Sequence, residues 1–309
     1  MFLKKAATLV RRHVIHLLII FVHGSEKSSG HLPVMEAEIT HVEGLYGHLG
    51  LPGCIGSVDC VHIPWEKCPA GLLSSCKGKE GYPTLVFEVV VSHTCKILSV
   101  SSVFFGADND KTIARFDPAI NEVRNGRYSE TEWEHCWYND TRVKECWYYF
   151  ICDGGYFSWK CLMLPVQNRS AGSDVDIWSK FMESVRKDVE CTFGILKQRF
   201  HVLKHNVRLQ NKAVIHDIFI CCCILHNMLM DFDGWDDWNK YLVEDDINDI
   251  EEDNDSNHMD ETDHSMELAH EITQRRSWNF EKAQFQTRRE GLIEHYNYCK
   301  EKGSIRWLR

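Results

Sequence analysis

CIGSVDCVHI, residues 54–63, is a largely apolar and β-branched run with a single carboxylate, Asp59, in its middle. Such a run reads as a buried strand. A charge inside it costs free energy unless something pairs with it, so Asp59 needs a partner. Downstream, a loop rich in Gly, Lys and Ser carries Lys77 and Lys79 and leads into two more apolar runs, 84–91 and 97–105. The connection from Ser92 to Cys95 is short enough for a hairpin, so three antiparallel strands in sequence are expected. A turn at Gly106-Ala107-Asp108-Asn109 precedes 110–124, where Ile113, Phe116, Ile120 and Val123 recur at helical spacing. WYYFIC, residues 147–152, reads as another short strand, stopped by Asp153-Gly154-Gly155. The pattern turns helical from Asp174 to about Lys204 and again from Lys212 to Met230, the second stretch apolar almost all round and therefore a buried helix. The fold class is α/β: a mixed sheet in β-β-β-α-β-α order, flanked by helices.

The 309 residues are enough for one large domain, and with 44% hydrophobic residues and ten Trp the chain is not a disordered or low-complexity polymer. The formal charge of −10 argues at first against a nucleic-acid partner. Its source is local: residues 231–264 hold fifteen acids and one lysine, leaving the rest mildly basic. That window lacks periodicity and reads as a solvated, mobile acidic segment, 231–270, after the main domain at 51–230. Residues 271–309 are basic and aromatic and are expected to return to the core as a helix. Residues 1–50 read as a helical segment, the remnant of a larger N-terminal region. Lys4, Lys5, Arg11 and Arg12 before the apolar 14–22 have the order of a secretory signal, but His16 interrupts the run and no A-x-A-like site follows. Secretion is not expected, nor a membrane span at nine residues, against the roughly 20 a bilayer needs. The fourteen cysteines, several inside apolar runs and none in C-x-x-C spacing, read as reduced core residues and not as a zinc site.

Three acids stand out. Asp59 lies within a strand; Asp153 ends one, with two glycines behind it that let the backbone turn; Glu190 lies in a helix. At 100° per residue Arg186, Glu190 and Lys197 share one face of that helix, beside an apolar stripe of Val189, Phe193, Leu196 and Phe200. An ordinary surface pair between Arg186 and Glu190 would explain the same spacing. Were the three acids to converge, their repulsion would call for a divalent ion, and oxygen-only ligands suit Mg²⁺ or Mn²⁺. A pair of such ions serves phosphodiester chemistry. The phosphate contacts would be Arg186, Lys197 and Arg199 on the helix and Lys77 and Lys79 in the loop, although a solvated turn accounts for the loop lysines equally well. His226 and Asn227 read as a hydrogen-bonded pair in the core.

GSVDCVHIPW (56–65), FFGADNDKTIARFD (104–117), ICDGGY (151–156), VRKDVECTFGILKQRF (185–200) and CCILHNML (222–229) resemble the successive blocks of PIF/Harbinger transposases and the nucleases derived from them. The resemblance implies an RNase H-like fold and a DDE triad of Asp59, Asp153 and Glu190, with Asp110 a rival for the second place. It implies a DNA endonuclease and transposase that uses two Mg²⁺ or Mn²⁺ ions to hydrolyse a strand and direct the freed 3′-hydroxyl at target DNA. It also implies DNA as partner, a Myb-like DNA-binding partner protein, a homodimer, and a nuclear location, with the cytoplasm as the alternative. A catalytically silent descendant that binds DNA or protein is the rival function. The enzyme reading requires residues 59, 153 and 190 to share one pocket. An arginine fixed permanently against one of them would defeat it.

Overall fold

The computed structural model describes residues 36–136, 141–205, 207–233 and 268–305. The segment 1–30 and most of the acidic window lie outside them. Helix α1 (Glu36–His48) leads into strand β1 (Cys54–Pro64), and a short helix α2 (Leu73–Cys76) precedes β2 (Thr84–Val91). Strands β3 (Ile97–Val100) and β4 (Phe104–Phe105) follow, then helices α3 (Asp110–Phe116) and α4 (Pro118–Arg124) and a hairpin of β5 (Trp133–Cys136) and β6 (Arg142–Glu145). Strands β7 (Tyr149–Ile151) and β8 (Leu162–Met163) precede α5 (Asp174–Arg199), α6 (His201–Lys204), α7 (Lys212–Asp233) and α8 (Leu268–Lys302).

The sheet is mixed, in the order β3-β2-β1-β7-β8, with β4 also on β2. Strand β1 pairs antiparallel with β2 and parallel with β7, and β7 pairs parallel with β8. The strand that opens the motif is thus central. Every residue of β2 is buried, as its near-continuous apolar sequence demands.

Two expected elements are broken, each for a local reason. Residues 97–105 form two short strands, because at Ser101 the edge bends: its hydroxyl accepts the Glu88 N–H while its own N–H donates to the Glu88 carbonyl. Residues 110–124 form two helices. Pro118 forces Asp117 out of the helical region (φ −71°, ψ 121°), and the Asp117 carboxylate then caps the second helix at the Ile120 N–H, 2.9 Å. Phe116, expected on the buried stripe, is 68% exposed as a result.

The two faces of the sheet carry separate cores. One gathers Ile39 and Tyr46 of α1, Ala114 and Ile120, Trp178 and Met182, and Phe285 and Leu292 of α8. The other packs Val61, Phe87 and Val89 against Val189, Phe193 and Leu196 of α5 and Ile215 and Phe219 of α7. Phe87 and Phe219 stack at 4.1 Å, and burial of each such ring contributes roughly 2 kcal/mol. Helix α7 is apolar and long enough to cross a membrane by composition alone, but here it supplies one wall of this second core. At 26 residues α5 is about 39 Å long, and it contributes to both cores. Arg186 and Glu190 fall where it passes from one to the other.

The His226–Asn227 pair closes the sheet edge. The Asn227 amide accepts from Ile97 N–H (2.9 Å) and donates to Ile97 carbonyl (2.8 Å), standing in for a neighbouring strand, while His226 Nε2 lies 2.9 Å from the Cys95 carbonyl. All fourteen cysteines are free.

Candidate functional site

Strand β1 delivers Asp59 to the face covered by α5. Asp153 lies two residues beyond Ile151, the β7 residue paired with Ser57, just as Asp59 lies two residues beyond Ser57. Asp59 Oδ1 accepts its own neighbour's backbone N–H, Cys60, at 2.8 Å, and Oδ2 accepts from Arg186 Nη1 at 2.8 Å. The second Arg186 nitrogen, Nη2, donates to Glu190 Oε1, also at 2.8 Å. Arg186 Nε is buried without an acceptor. One guanidinium therefore links the strand carboxylate to the helix carboxylate, and the i, i+4 pair is part of a larger cluster.

The electrostatics join the third acid to the other two. Burial pushes the Asp59 carboxyl up to about 6; the Cys60 N–H and Arg186 oppose this, while the charges of Asp153 and Asp110 add to it. Burial works against the Arg186 charge, but Asp59, Glu190 and Asp153 together hold its pKa above the ordinary value. Asp110, at the start of α3, reaches the same place: a Cβ added at Gly155 would lie 2.9 Å from Asp153 Oδ1 and 3.0 Å from Asp110 Oδ2. The missing side chain at Gly155 leaves these two carboxylates their room.

As a cation site the donors fit by chemistry: the carboxylates are oxygen ligands, one is buried, and like charges crowd it. They are not drawn together for an ion, since no three acidic, His or Cys side chains among the described residues form a metal-sized group. Arg186 stands between two of them instead.

The expected phosphate contacts scatter. Lys77 and Lys79 are exposed. Lys197 Nζ donates to the His62 carbonyl at 3.4 Å and its pKa is lowered by burial; burial first, then the charges of Lys79 and Lys197, depress His62. Arg199 is turned to α7, where Nη1 donates to the His226 carbonyl at 3.4 Å and Nη2 lies 3.8 Å from Asp233.

A second group of acids escaped the sequence reading. Glu88 of β2 is fully buried; neither of its oxygens meets strict hydrogen-bond geometry, but the Tyr156 hydroxyl and the Asp117 carboxyl lie close enough to act on it. Burial first, then the charge of Asp117, drive its carboxyl well above the usual range. Tyr156 OH, buried nearby, lies 3.6 Å from Cys60 Sγ. The signal was there: Glu88 interrupts TLVFEVVV as Asp59 interrupts its own strand.

A mixed sheet whose central strand presents a carboxylate to an acid-bearing helix defines a class of α/β proteins with an acidic site at the sheet face. Residues 33–236 match the plant transposon protein family, and the chain belongs to it. It is 25% identical over 216 residues to mouse "Putative nuclease HARBI1", covering 68% of this chain and 55% of the mouse protein. Against "Protein ALP1-like" of Arabidopsis thaliana it is 21% identical over 217 residues, 69% of this chain and 52% of that protein. The human "Putative nuclease HARBI1" is 23% identical over 215 residues, 68% and 56%. The chain spans about half the length of these curated relatives. No solved structure matches it.

Proposed function

We propose that this chain is a metal-dependent DNA endonuclease of the DDE transposase type, built on an RNase H-like sheet. The sheet order, with an antiparallel hairpin on one side of β1 and parallel strands on the other, supports the fold half of that reading. The observation that carries the activity is the convergence on Arg186: Asp59 and Glu190 touch its guanidinium and Asp153 acts on its charge. Acids far apart in the chain that share one arginine support a common acidic site.

Asp59, Asp153 and Glu190 would hold Mg²⁺ or Mn²⁺, with Asp110 beside Asp153 as the rival ligand. Two such ions, when bound, activate a water or 3′-hydroxyl and stabilise the leaving oxygen of a phosphodiester. The chain's own task is to make Asp59 accessible, which means exchanging Arg186, whose charge favours the ionised carboxylate, for the bound ion. Nη1 and Nη2 hold the two carboxylates while Nε has no acceptor, so the enzyme reading requires the ion and a DNA phosphate to displace Arg186 from Asp59. Lys77, Lys79 and Lys197 would meet other phosphates; Arg199 would first have to leave His226. DNA as substrate, strand transfer, a Myb-like partner protein, a homodimer and a nuclear location extend the same reading.

The second reading, a catalytically silent descendant that binds DNA or protein, is favoured by the same pair seen otherwise: Arg186 neutralises Asp59 without any metal. Nicking of supercoiled plasmid by the full chain in Mg²⁺ or Mn²⁺ separates the two. Cleavage that is lost in chelator and in folded Asp59→Asn and Glu190→Gln supports the enzyme. Equal nicking by wild type and both variants, or none by wild type, overturns it.

A further inference from the structure

We infer that Lys111 and Arg115 form a phosphate-binding pair that seats a DNA strand beside Asp110 and Asp153. The inference rests on the nucleic-acid reading above and assigns it a surface outside the expected set. Lys111 and Arg115 lie one turn apart on α3 and are exposed, and neither forms an ion pair among the described residues. Arg186 is engaged with carboxylates, and Lys197 and Arg199 donate to backbone carbonyls.

The pair is also pre-positioned. Lys111 Nζ lies 5.7 Å and the Arg115 guanidinium carbon 4.8 Å from the centre of the Phe157 ring. Phe157 stacks on Trp159 at 4.7 Å and 18°, and the Arg124 guanidinium lies 3.9 Å from the Trp159 ring centre. Trp159 is 4% exposed and belongs to the first core, so this aromatic pair is a fixed base for the two cations. Cation–π contact of this kind restrains the cation without neutralising it. A restrained, unneutralised charge loses less entropy on meeting an anion than a free lysine does.

Position selects the anion. Lys111 is next in sequence to Asp110, whose carboxylate flanks Gly155 with that of Asp153, and Phe157 is two residues beyond Gly155. A polyanion held by Lys111 and Arg115 therefore runs along the acidic site. Lys111 and Arg115, one helical turn apart, are spaced to meet neighbouring phosphates of a strand. The contact is to backbone and carries no base preference.

The test is fluorescence anisotropy of a labelled duplex with the full chain, in chelator so that no cleavage occurs, over a salt series. Lys111→Gln/Arg115→Gln is expected to weaken binding about tenfold and to lower the slope of log affinity against log salt by about 1.8, the release expected for two phosphates. The charge-conserving Lys111→Arg/Arg115→Lys should keep the slope. Phe157→Leu, which removes the platform and no charge, should weaken binding by a smaller factor at unchanged slope. Both positions are exposed, and a circular dichroism melt confirms that the variants fold. Wild-type binding with an unchanged slope in the Gln pair overturns this inference alone. Absence of wild-type binding overturns it together with the DNA reading.

Discussion

Arg186 Nη1 lies 2.8 Å from Asp59 Oδ2, on side chains only 14% and 22% exposed, although the two residues are 127 apart in the chain. This pair links the central strand to α5. Removing one partner leaves the other charge poorly solvated, which is costlier than the net worth of the pair. Arg186→Gln is expected to lower stability by about 2 kcal/mol, and Arg186→Gln/Asp59→Asn to recover much of it. A urea double-mutant cycle reads this, and strict additivity of the two single changes would dismiss the coupling.

Asp59 also gives the protein a pH signature. Its folded pKa of about 6 lies above the reference 3.8, so between those values the folded chain holds a proton that the unfolded chain has released. Stability from this group is therefore lost as pH rises through the window, by about 2–3 kcal/mol in all. Melts of wild type and Asp59→Asn from pH 4 to pH 7 should diverge in slope, the variant being flatter. Parallel curves would contradict the buried, protonatable carboxyl.

Gly155→Ala tests the acidic site without touching an acid. The new Cβ would crowd Asp153 Oδ1 and Asp110 Oδ2, both ends of side chains able to swing. Stability should change by less than about 1 kcal/mol, while metal-dependent nicking should fall at least about tenfold, one factor of ten being about 1.4 kcal/mol of lost stabilisation. Unaltered cleavage would separate these two carboxylates from the reaction.

Asn227→Ala removes both hydrogen bonds to Ile97 and leaves two backbone groups at the sheet edge without partners. A loss of about 2–4 kcal/mol is expected in a denaturant titration. A loss under about 0.5 kcal/mol would mean that water replaces the amide there.

Much of this architecture is legible in the chain because the inner strands are apolar runs: TLVFEVVV can only be buried, and α5 and α7 carry clear helical stripes. The β5–β6 hairpin is not legible, since WEHC and RVKE are short, mixed in polarity and positioned by Trp133 packing in the core. Strand β8 has two residues and too little pattern to see. Pro118 could have split the 110–124 helix on sight. At the site, Asp59 and Glu88 are each legible as a charge out of place, but which cation an acid meets is decided by tertiary packing. Arg186 reads as a surface pair or as a phosphate contact, and its bridge to Asp59 is not legible, because periodicity fixes the face of a helix and not what lies across from it.

The parallel partner of β1 has a consequence for how the molecule is made. Strand β1 is synthesised well ahead of its parallel partner: Ser57 pairs with Ile151, 94 residues later in the chain. Until then one side of the most apolar strand pair is an open template for the wrong neighbour. That edge stays unpaired until β7 has been made, so the two flanks of the acidic site cannot meet before the chain has been synthesised past Ile151.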